Sequence, residues 1–577
     1  MNVKFNIYIV IFLLALLFSV FLFLACGQHS GLTNKTNSID EYLMKLEAHG
    51  FSGSVLVAQN GNILLQKGYG LANVQTSEKF SEETQFPIAS ITKSITATAI
   101  LLLEKKGKLK TTDHIGQFFK DVPNDKKEIT IHHLLSHTSG LVRDVQRTSR
   151  DKLLRLILDS KLIHPVGKQF AYSNAGYQLL GLLIEKITGD LYEQFILKRV
   201  FQPLNLTCSF ENDSSVWRQI PMAFDESQNY TIFKKNYRAE NKIGQGGIVC
   251  SITDLYKWFF SLLNGDIIDN QHLAKAFSPQ VMIKNQGNYT GYGYGFYLNF
   301  ADPEDRVIIH GGDIFGYHSE LQWYKDSDRV IILFSNKELY GLGVHKRIIV
   351  SNINKLLNGK KIIQPEEFET LSSDEKLPYV GDYKIDENNL FHVWHENNHL
   401  MIGAEGQEAI NLIAVHNQDQ KEYINQKNRL TQQIVTALTT GQEKILKDIL
   451  SKSEYDFFVS YWVDVLENSK KKYGKLRKVI VKGANSYPWQ EKYIRCYAYY
   501  FFENKTVDIS YVWDQNTLRE TLEESGVQYP VVMRLVKHSE NVYSVFDLVT
   551  SKGQLIRFDD QKLSIKVKGN PILAIKY

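Results

Sequence analysis

The chain has 577 residues, and its 67 Lys plus Arg against 63 Asp plus Glu leave a formal net charge of only +4. Ordinary globular composition, 43% apolar and 23% charged, excludes a disordered chain, a collagen and a multi-span transporter. So weak a positive excess gives no footprint for nucleic acid, and at roughly 150 residues per domain the length predicts two to four domains. The four cysteines (Cys26, Cys208, Cys250 and Cys496) are too few and too scattered for a disulfide scaffold. No CxxC pair or His/Cys cluster has zinc spacing, so no metal is expected.

Lys4 precedes an almost continuous apolar run from Ile7 to Ala25. A short positive end followed by an apolar core has the order of an export signal. The run also nearly spans a bilayer as a helix, and Lys4 favours an inside N-terminus with an exported remainder. Phe23-Leu24-Ala25-Cys26-Gly27 resembles a bacterial lipoprotein box, with Phe23 where that box usually has Leu. The resemblance implies cleavage before Cys26 and lipidation of that cysteine. An uncleaved anchor over 1–25 and plain secretion are the alternatives. All three place the bulk of the chain outside the cytoplasm, and the first two tether it to the membrane of a bacterial cell envelope. The stretch 26–37, polar and small from Gln28 onward, reads as a flexible tether.

A first domain is expected over 38–359. Residues 51–69 read as two strands around Asn60-Gly61, a strong hairpin turn signal. The apolar stretch Ile91 to Leu103, closed by Lys105, Lys106 and Gly107, reads as a helix with a basic last turn and a glycine stop. Further helical patterns fill 152–201, including Tyr177 to Ile187 before Gly189. Apolar runs then return at Val307 to His310, Tyr317 to Tyr324 and Val330 to Phe334. Strands, many helices, then strands predict an α+β domain: an antiparallel sheet assembled from both ends, with a helical lobe inserted.

Three constellations carry chemistry. In Ser90-Ile91-Thr92-Lys93, i and i+3 share a helix face, so hydroxyl and amine can meet. Ser90 would stand at a helix start, where free N–H groups favour developing negative charge. Apolar neighbours would desolvate Lys93 and lower its pKa, making it a base toward Ser90. In Tyr172-Ser173-Asn174, a partly ionised phenol near a lysine could shuttle protons, and the asparagine can meet a substrate amide. In His310-Gly311-Gly312-Asp313, at the end of a strand, two glycines would let a substrate backbone approach, and a nearby N–H could complete an oxyanion hole with that of Ser90. Each pattern alone is cheap: Ser149…Lys152, Ser373…Lys376 and Ser469…Lys472 repeat the first spacing.

Together their order and flanking text resemble the serine β-lactamase and penicillin-binding-protein family, particularly its class C-like branch. The stretches are Phe86-Pro-Ile-Ala-Ser-Ile-Thr-Lys93, Ile129-Thr-Ile-His-His-Leu-Leu-Ser-His-Thr-Ser-Gly-Leu141, Phe170-Ala-Tyr-Ser-Asn-Ala-Gly-Tyr-Gln-Leu-Leu-Gly181 and His310-Gly-Gly312. The resemblance implies a five-stranded antiparallel sheet flanked by helices, with an all-helical lobe across the cleft. It implies Ser90 as acylated nucleophile, Lys93 as activating partner, Tyr172 as proton relay and Asn174 as amide contact. His310 stands where many members have the Lys of Lys-Thr-Gly, and Asp313 where the family takes its second oxyanion N–H. No metal or organic cofactor is implied.

His310 is a departure, because lysine is cationic near pH 7 and histidine mostly neutral. Capture of a substrate carboxylate should weaken, and Asp313, if its side chain points inward, would repel it. Both favour an ester or amide without a free acid: an esterase or a D-amino-acid or cell-wall peptidase rather than a true β-lactamase. The rival reading is a catalytically weak penicillin-binding, sensor or scaffold protein using the same cleft.

Beyond a boundary near Gly359 to Pro365, Pro378-Tyr-Val-Gly-Asp-Tyr383 resembles the start of a small β-domain often appended to this family, expected over 375–418. Helical patterns at Leu430 to Leu450 and Tyr455 to Leu466, then a strand meander, predict a cone-shaped α+β domain over 425–577. No catalytic constellation falls there.

Overall fold

The computed structural model describes residues 35–577 except 147, 214, 225–229, 232–241, 284–288, 302–305, 315, 338–344, 366–377, 397–398, 416–417, 488–489, 515–516, 525–528, 540, 546–553, 560 and 567–570. The expected signal or anchor over 1–25 and Cys26 lie outside the described residues. Helix α1 (35–48) begins inside the stretch read as a tether. Among the described residues no helix is long and apolar enough to cross a membrane.

Strands β1 (Gly53–Gln59) and β2 (Asn62–Tyr69) flank Asn60 and Gly61, whose φ values of +51° and +74° fit the left-handed geometry of a tight hairpin. Helix α2 (Thr92–Lys105) follows a single 3-10 turn, Ala89–Ile91. Helix α3 (Asn174–Thr188) stops at Gly189, at φ +75°. The chain returns through β3 (Tyr297–Asn299), β4 (Val307–Ile314), β5 (Tyr317–Tyr324) and β6 (Arg329–Ser335), then helix α4 (Lys346–Leu357).

The sheet runs β3-β4-β5-β6-β1-β2, and two further short strands, Val281–Met282 and Gly291–Tyr292, extend it beyond β3. Five long strands form the expected sheet, with three short ones at one edge. β1 pairs with β6 from Gly53↔Ser335 to Gln59↔Arg329, so the two ends of the domain do meet in the sheet. β4 runs four residues beyond the expected stop at His310, because its pairing with β5 persists through both glycines to Ile314↔Tyr317. Period-2 alternation sorts the apolar side chains onto two faces. Leu56, Ile332 and Phe334 join α2, α3 and the helical lobe in one core. Val55, Val57, Ile331 and Leu333 pack with α1 and α4 in the other.

The C-terminal third departs from the expected division. Strands β7 (Gly381–Asp386), β8 (Asn389–Glu396) and β9 (His399–Glu405) do not stand alone. After helix α5 (Gln407–Ala414) come helices α6 (Gln418–Thr440), α7 (Glu443–Ile449) and α8 (Lys452–Tyr473). These pack on a four-stranded sheet, β10 (Leu476–Tyr487), β11 (Gln490–Phe502), β12 (Thr506–Asp514) and β13 (Thr517–Glu524). The last strands are β14 (Val531–Ser539), β15 (Val542–Val545), β16 (Leu555–Asp559), β17 (Lys562–Ile565) and β18 (Ile572–Lys576). They close a barrel with β7 to β9, through Leu400↔Leu535 at one seam and Tyr383↔Lys576 at the other. Residues 418–524 are thus an insertion into the barrel rather than part of a continuous domain over 425–577. Three strands alone would leave two edges unpaired, and closure removes them. Phe391, Ile402, Phe558 and Ile565 fill the barrel interior.

Candidate active site

Ala89, immediately before Ser90, is held at φ +46°, a region that a non-glycine residue adopts only at a cost. The turn is fixed from both sides: the Ile88 N–H donates to the Ile248 carbonyl at 3.0 Å, and the Ser319 hydroxyl donates to the Ile88 carbonyl at 2.9 Å. Ser90 is therefore presented, half-buried, by a rigid corner feeding straight into α2.

Lys93 lies one turn on and is fully buried. Its Nζ is 3.1 Å from Ser90 Oγ and donates to the Gln245 carbonyl at 2.8 Å. Burial, opposed by the Asp144 charge and reinforced by Arg143, holds its pKa well below the ordinary lysine value. A neutral amine can accept the Ser90 proton, which an ammonium cannot.

Tyr172, just ahead of α3, reaches the same point, and its phenol hydrogen-bonds with Ser90. Its ring lies 4.9 Å from Lys93 Nζ and packs against His137 at 4.4 Å. Burial raises the Tyr172 pKa well above its usual value, with Tyr297 adding to the effect. The phenol is therefore protonated, not partly ionised as the sequence suggested, and Lys93 is the group more readily present in its free-base form. His137 was not singled out for this role. It sits at φ +57° with Nδ1 accepting from the Ser173 N–H at 3.0 Å, which seats the Tyr172 corner.

Asn174 donates from Nδ2 to Asp144 Oδ1 at 2.8 Å. A carboxylate can only accept, so this contact fixes the amide orientation. Asn174 Oδ1 is buried without a protein partner, as an acceptor for a substrate N–H would be.

His310 and Gly312 share the cleft face of β4, while Gly311 and Asp313 face α4. The glycines admit protein rather than substrate. A Cβ on Gly312 would lie 2.3 Å from the Ile88 carbonyl oxygen and 3.0 Å from the Ser90 nitrogen, and one on Gly311 would lie 2.6 Å from Glu320 Oε2. His310 is buried, its Nδ1 donating to the Gly311 carbonyl at 2.8 Å, and burial above all pushes its pKa down to about 3. It is neutral at physiological pH. The Asp313 side chain turns away from the cleft, toward Lys346 Nζ at 2.6 Å and His318 Nδ1 at 2.8 Å. It therefore does not repel a substrate carboxylate.

Of His132, His133 and His137, which stand close together in the chain, His133 closes a capping box with Thr130 and His132 Nδ1 meets the Tyr294 hydroxyl at 2.7 Å. Among the described residues no group of His, Cys, Asp and Glu could hold a metal. A disulfide not foreseen in the sequence joins Cys208 to Cys250. It staples the paired strands Ser209–Phe210 and Ile248–Cys250, the latter also pairing with Phe86–Pro87 just before the serine corner.

The chain is 27% identical over 405 residues to penicillin-binding protein 4* of Bacillus subtilis (strain 168), covering 63% of this chain and 86% of that one. It is 26% identical to protein flp of Staphylococcus aureus (strain N315) over 369 residues, 59% of this chain and 70% of that one. Its fold is similar to that of the octameric penicillin-binding protein homologue from Pyrococcus abyssi, with a TM-score of 0.50, 19% identity, and coverage of 85% of this chain and 99% of that one. The β-lactamase family model matches residues 39–348, more than half of the chain. That span contains the serine corner, the Tyr172 turn and β4, and the chain accordingly belongs to the β-lactamase family of serine hydrolases.

Proposed function

We propose that the protein is an exported, membrane-tethered hydrolase acting through a Ser90 acyl-enzyme on an ester or amide. Lys93, uncharged in its buried site, takes the Ser90 proton as Oγ attacks the carbonyl. The N–H groups of Ser90 and Asp313 hold the oxyanion. The protonated Tyr172 phenol relays a proton to the leaving group, and water then hydrolyses the acyl-enzyme. Asn174 Oδ1 accepts from the substrate amide. The observation that carries this reading is the 3.1 Å approach of a buried, pKa-lowered amine to Ser90 Oγ.

The neutral His310 favours substrates without a free acid, of the esterase, D-amino-acid or cell-wall peptidase type, over a true β-lactamase. Similarity to a penicillin-binding protein supports a cell-wall compound. A second reading, a catalytically weak penicillin-binding protein taking acid-bearing ligands, is favoured by Arg143, whose half-exposed guanidinium lies 5.7 Å from the Tyr172 ring centre. Export is supported by the apolar run before Cys26 and by the disulfide, which persists in oxidising compartments.

Purified full-length protein with a nitrophenyl ester, a fluorescent penicillin and a cephalosporin tests the site. Ester turnover, penicillin labelling and slow cephalosporin opening are expected, the first two lost in Ser90→Ala. Turnover that survives Ser90→Ala would refute the nucleophile, and fast cephalosporin opening would refute the weight given to His310. Mass spectrometry of the N-terminal peptide from the membrane fraction tests the tether: a lipidated Cys26 as first residue is expected, and an intact 1–25 segment would show an uncleaved anchor.

A further inference from the structure

Behind β4, on the face away from the cleft, Lys346 from the first turn of α4 has only 2% of its side chain exposed. Its Nζ donates to the Gly312 carbonyl at 3.0 Å, the Ser319 carbonyl at 2.9 Å and Asp313 Oδ1 at 2.6 Å. Three donors therefore meet three acceptors around a fixed point. One of those acceptors is not an ordinary carbonyl.

The Ile314↔Tyr317 pair closes the β4–β5 hairpin, and such a closing pair exchanges both hydrogen bonds. Alternation then makes Gly312↔Ser319 another exchanging pair and turns the Asp313 N–H to the other side of the strand. That side is open, because β3 pairs with β4 only as far as Tyr297↔Ile309. The Gly312 C=O and the Asp313 N–H are the two ends of one planar peptide unit. Lys346 thus grips the carbonyl end of the peptide whose amide end faces the cleft beside Ser90. A cation on the oxygen fixes the plane of that unit and draws electron density from its nitrogen, so the N–H becomes a stronger donor.

We propose that Lys346 is a positioning residue for acyl transfer: from behind the strand it orients and polarises the Gly312–Asp313 peptide so that the Asp313 N–H serves as an oxyanion donor. The inference rests on the Ser90 acyl-enzyme reading. It separates Lys346 from a lysine that merely neutralises Asp313 and the buried Glu320, whose Oε2 lies 3.7 Å away. Lys346 lies behind the strand, away from the cleft, so the effect falls on the rate of acylation and not on the dissociation constant of the non-covalent substrate complex.

The test compares wild type, Lys346→Met, Asp313→Asn and the double variant as full-length proteins, using a chromophoric ester that leaves a trappable acyl-enzyme. The acylation rate and the dissociation constant of the non-covalent complex, both from single-turnover kinetics, are measured with the melting temperature and the infrared stretch of the acyl-enzyme carbonyl. Lys346→Met is expected to slow acylation about 10- to 100-fold, less than outright loss of an oxyanion donor, with the dissociation constant of the non-covalent complex changed by no more than about twofold. The carbonyl band should move to higher frequency, as it does when hydrogen bonds to the oxygen weaken. The double variant removes one positive and one negative charge together. It should regain thermal stability without regaining the rate or the band position, and it carries the comparison if Lys346→Met does not fold. A wild-type rate and band in Lys346→Met, or recovery of both in the double variant, would overturn the inference while leaving Ser90 chemistry intact. Absence of any Ser90 acyl-enzyme in the wild type would instead overturn the underlying reading, and this inference with it.

Discussion

On the cleft face of β4, His310 and Gly312 look toward Ser90 and Lys93, whose hydrogen-bond partners are a hydroxyl and a carbonyl. On the opposite face, Gly311 and Asp313 look toward Lys346, which holds the Asp313 carboxylate at 2.6 Å. Both lysines are buried, yet their partners differ. The first is desolvated without a carboxylate in direct contact, which favours the free amine. The second is paired and saturated with acceptors, which suits a fixed cation. Burial alone does not decide what a lysine does; the groups it is buried with decide.

The largest effect is expected at Lys93. Lys93→Ala should lower acylation by about 10²- to 10⁴-fold, the usual worth of a general base. In the wild type, kcat/KM should rise with pH as Lys93 loses its proton, along a limb well below the ordinary lysine value of 10.5. A wild-type limb near that value, or one unchanged in Lys93→Ala, would contradict a neutral amine. His310, already uncharged above about 3, should add no limb near neutral pH.

Gly312→Ala acts on the same cleft face of β4 through packing. Its Cβ would meet the Ile88 carbonyl oxygen at 2.3 Å and force β4 away from the serine corner. A loss of about 10²-fold or more in acylation is expected, from displaced oxyanion donors, with an accompanying drop in melting temperature. Near-normal acylation would show that the spacing between strand and corner does not matter.

Cys208→Ser tests the staple beside the corner. Chemical denaturation should report a loss of about 2–4 kcal/mol, within the range for native disulfides. An unchanged midpoint under non-reducing conditions would mean that the bond does not form. The smallest effect is expected at His310. His310→Lys should raise the preference for acid-bearing over neutral substrates by about tenfold, roughly 1.4 kcal/mol. No change in that ratio would return the weight to Arg143.

What was legible in the sequence is what is local. Ser90 and Lys93 are one helical turn apart, Tyr172 and Asn174 flank a helix start, and Asn60-Gly61 marks its hairpin; each carries its own signal within a few residues. The long strands of the catalytic sheet were likewise visible as apolar runs. The rest was set by partners distant in the chain. Tyr172 ionisation depends on burial beneath His137 and beside Tyr297, which no spacing reveals. The direction of the Asp313 side chain depends on β4 continuing past two glycines, which read as a strand end. The Cys208–Cys250 bond rides on strands of only two and three residues. Lys346 lies within His345-Lys346-Arg347, three polar residues whose burial depends on β4 and β5 packing over them. The barrel closes through β7 and β18, at opposite ends of the C-terminal region, so its early strands looked like a separate small domain.

Ser90 acylation is tested most directly by peptide mapping, by mass spectrometry, of the intermediate trapped by rapid acid quench with a chromophoric ester. One acyl increment is expected, on the peptide containing Ser90, forming faster as pH rises through the lowered Lys93 pKa. An increment on any other residue, or steady turnover with no covalent intermediate formed at any time, would contradict it.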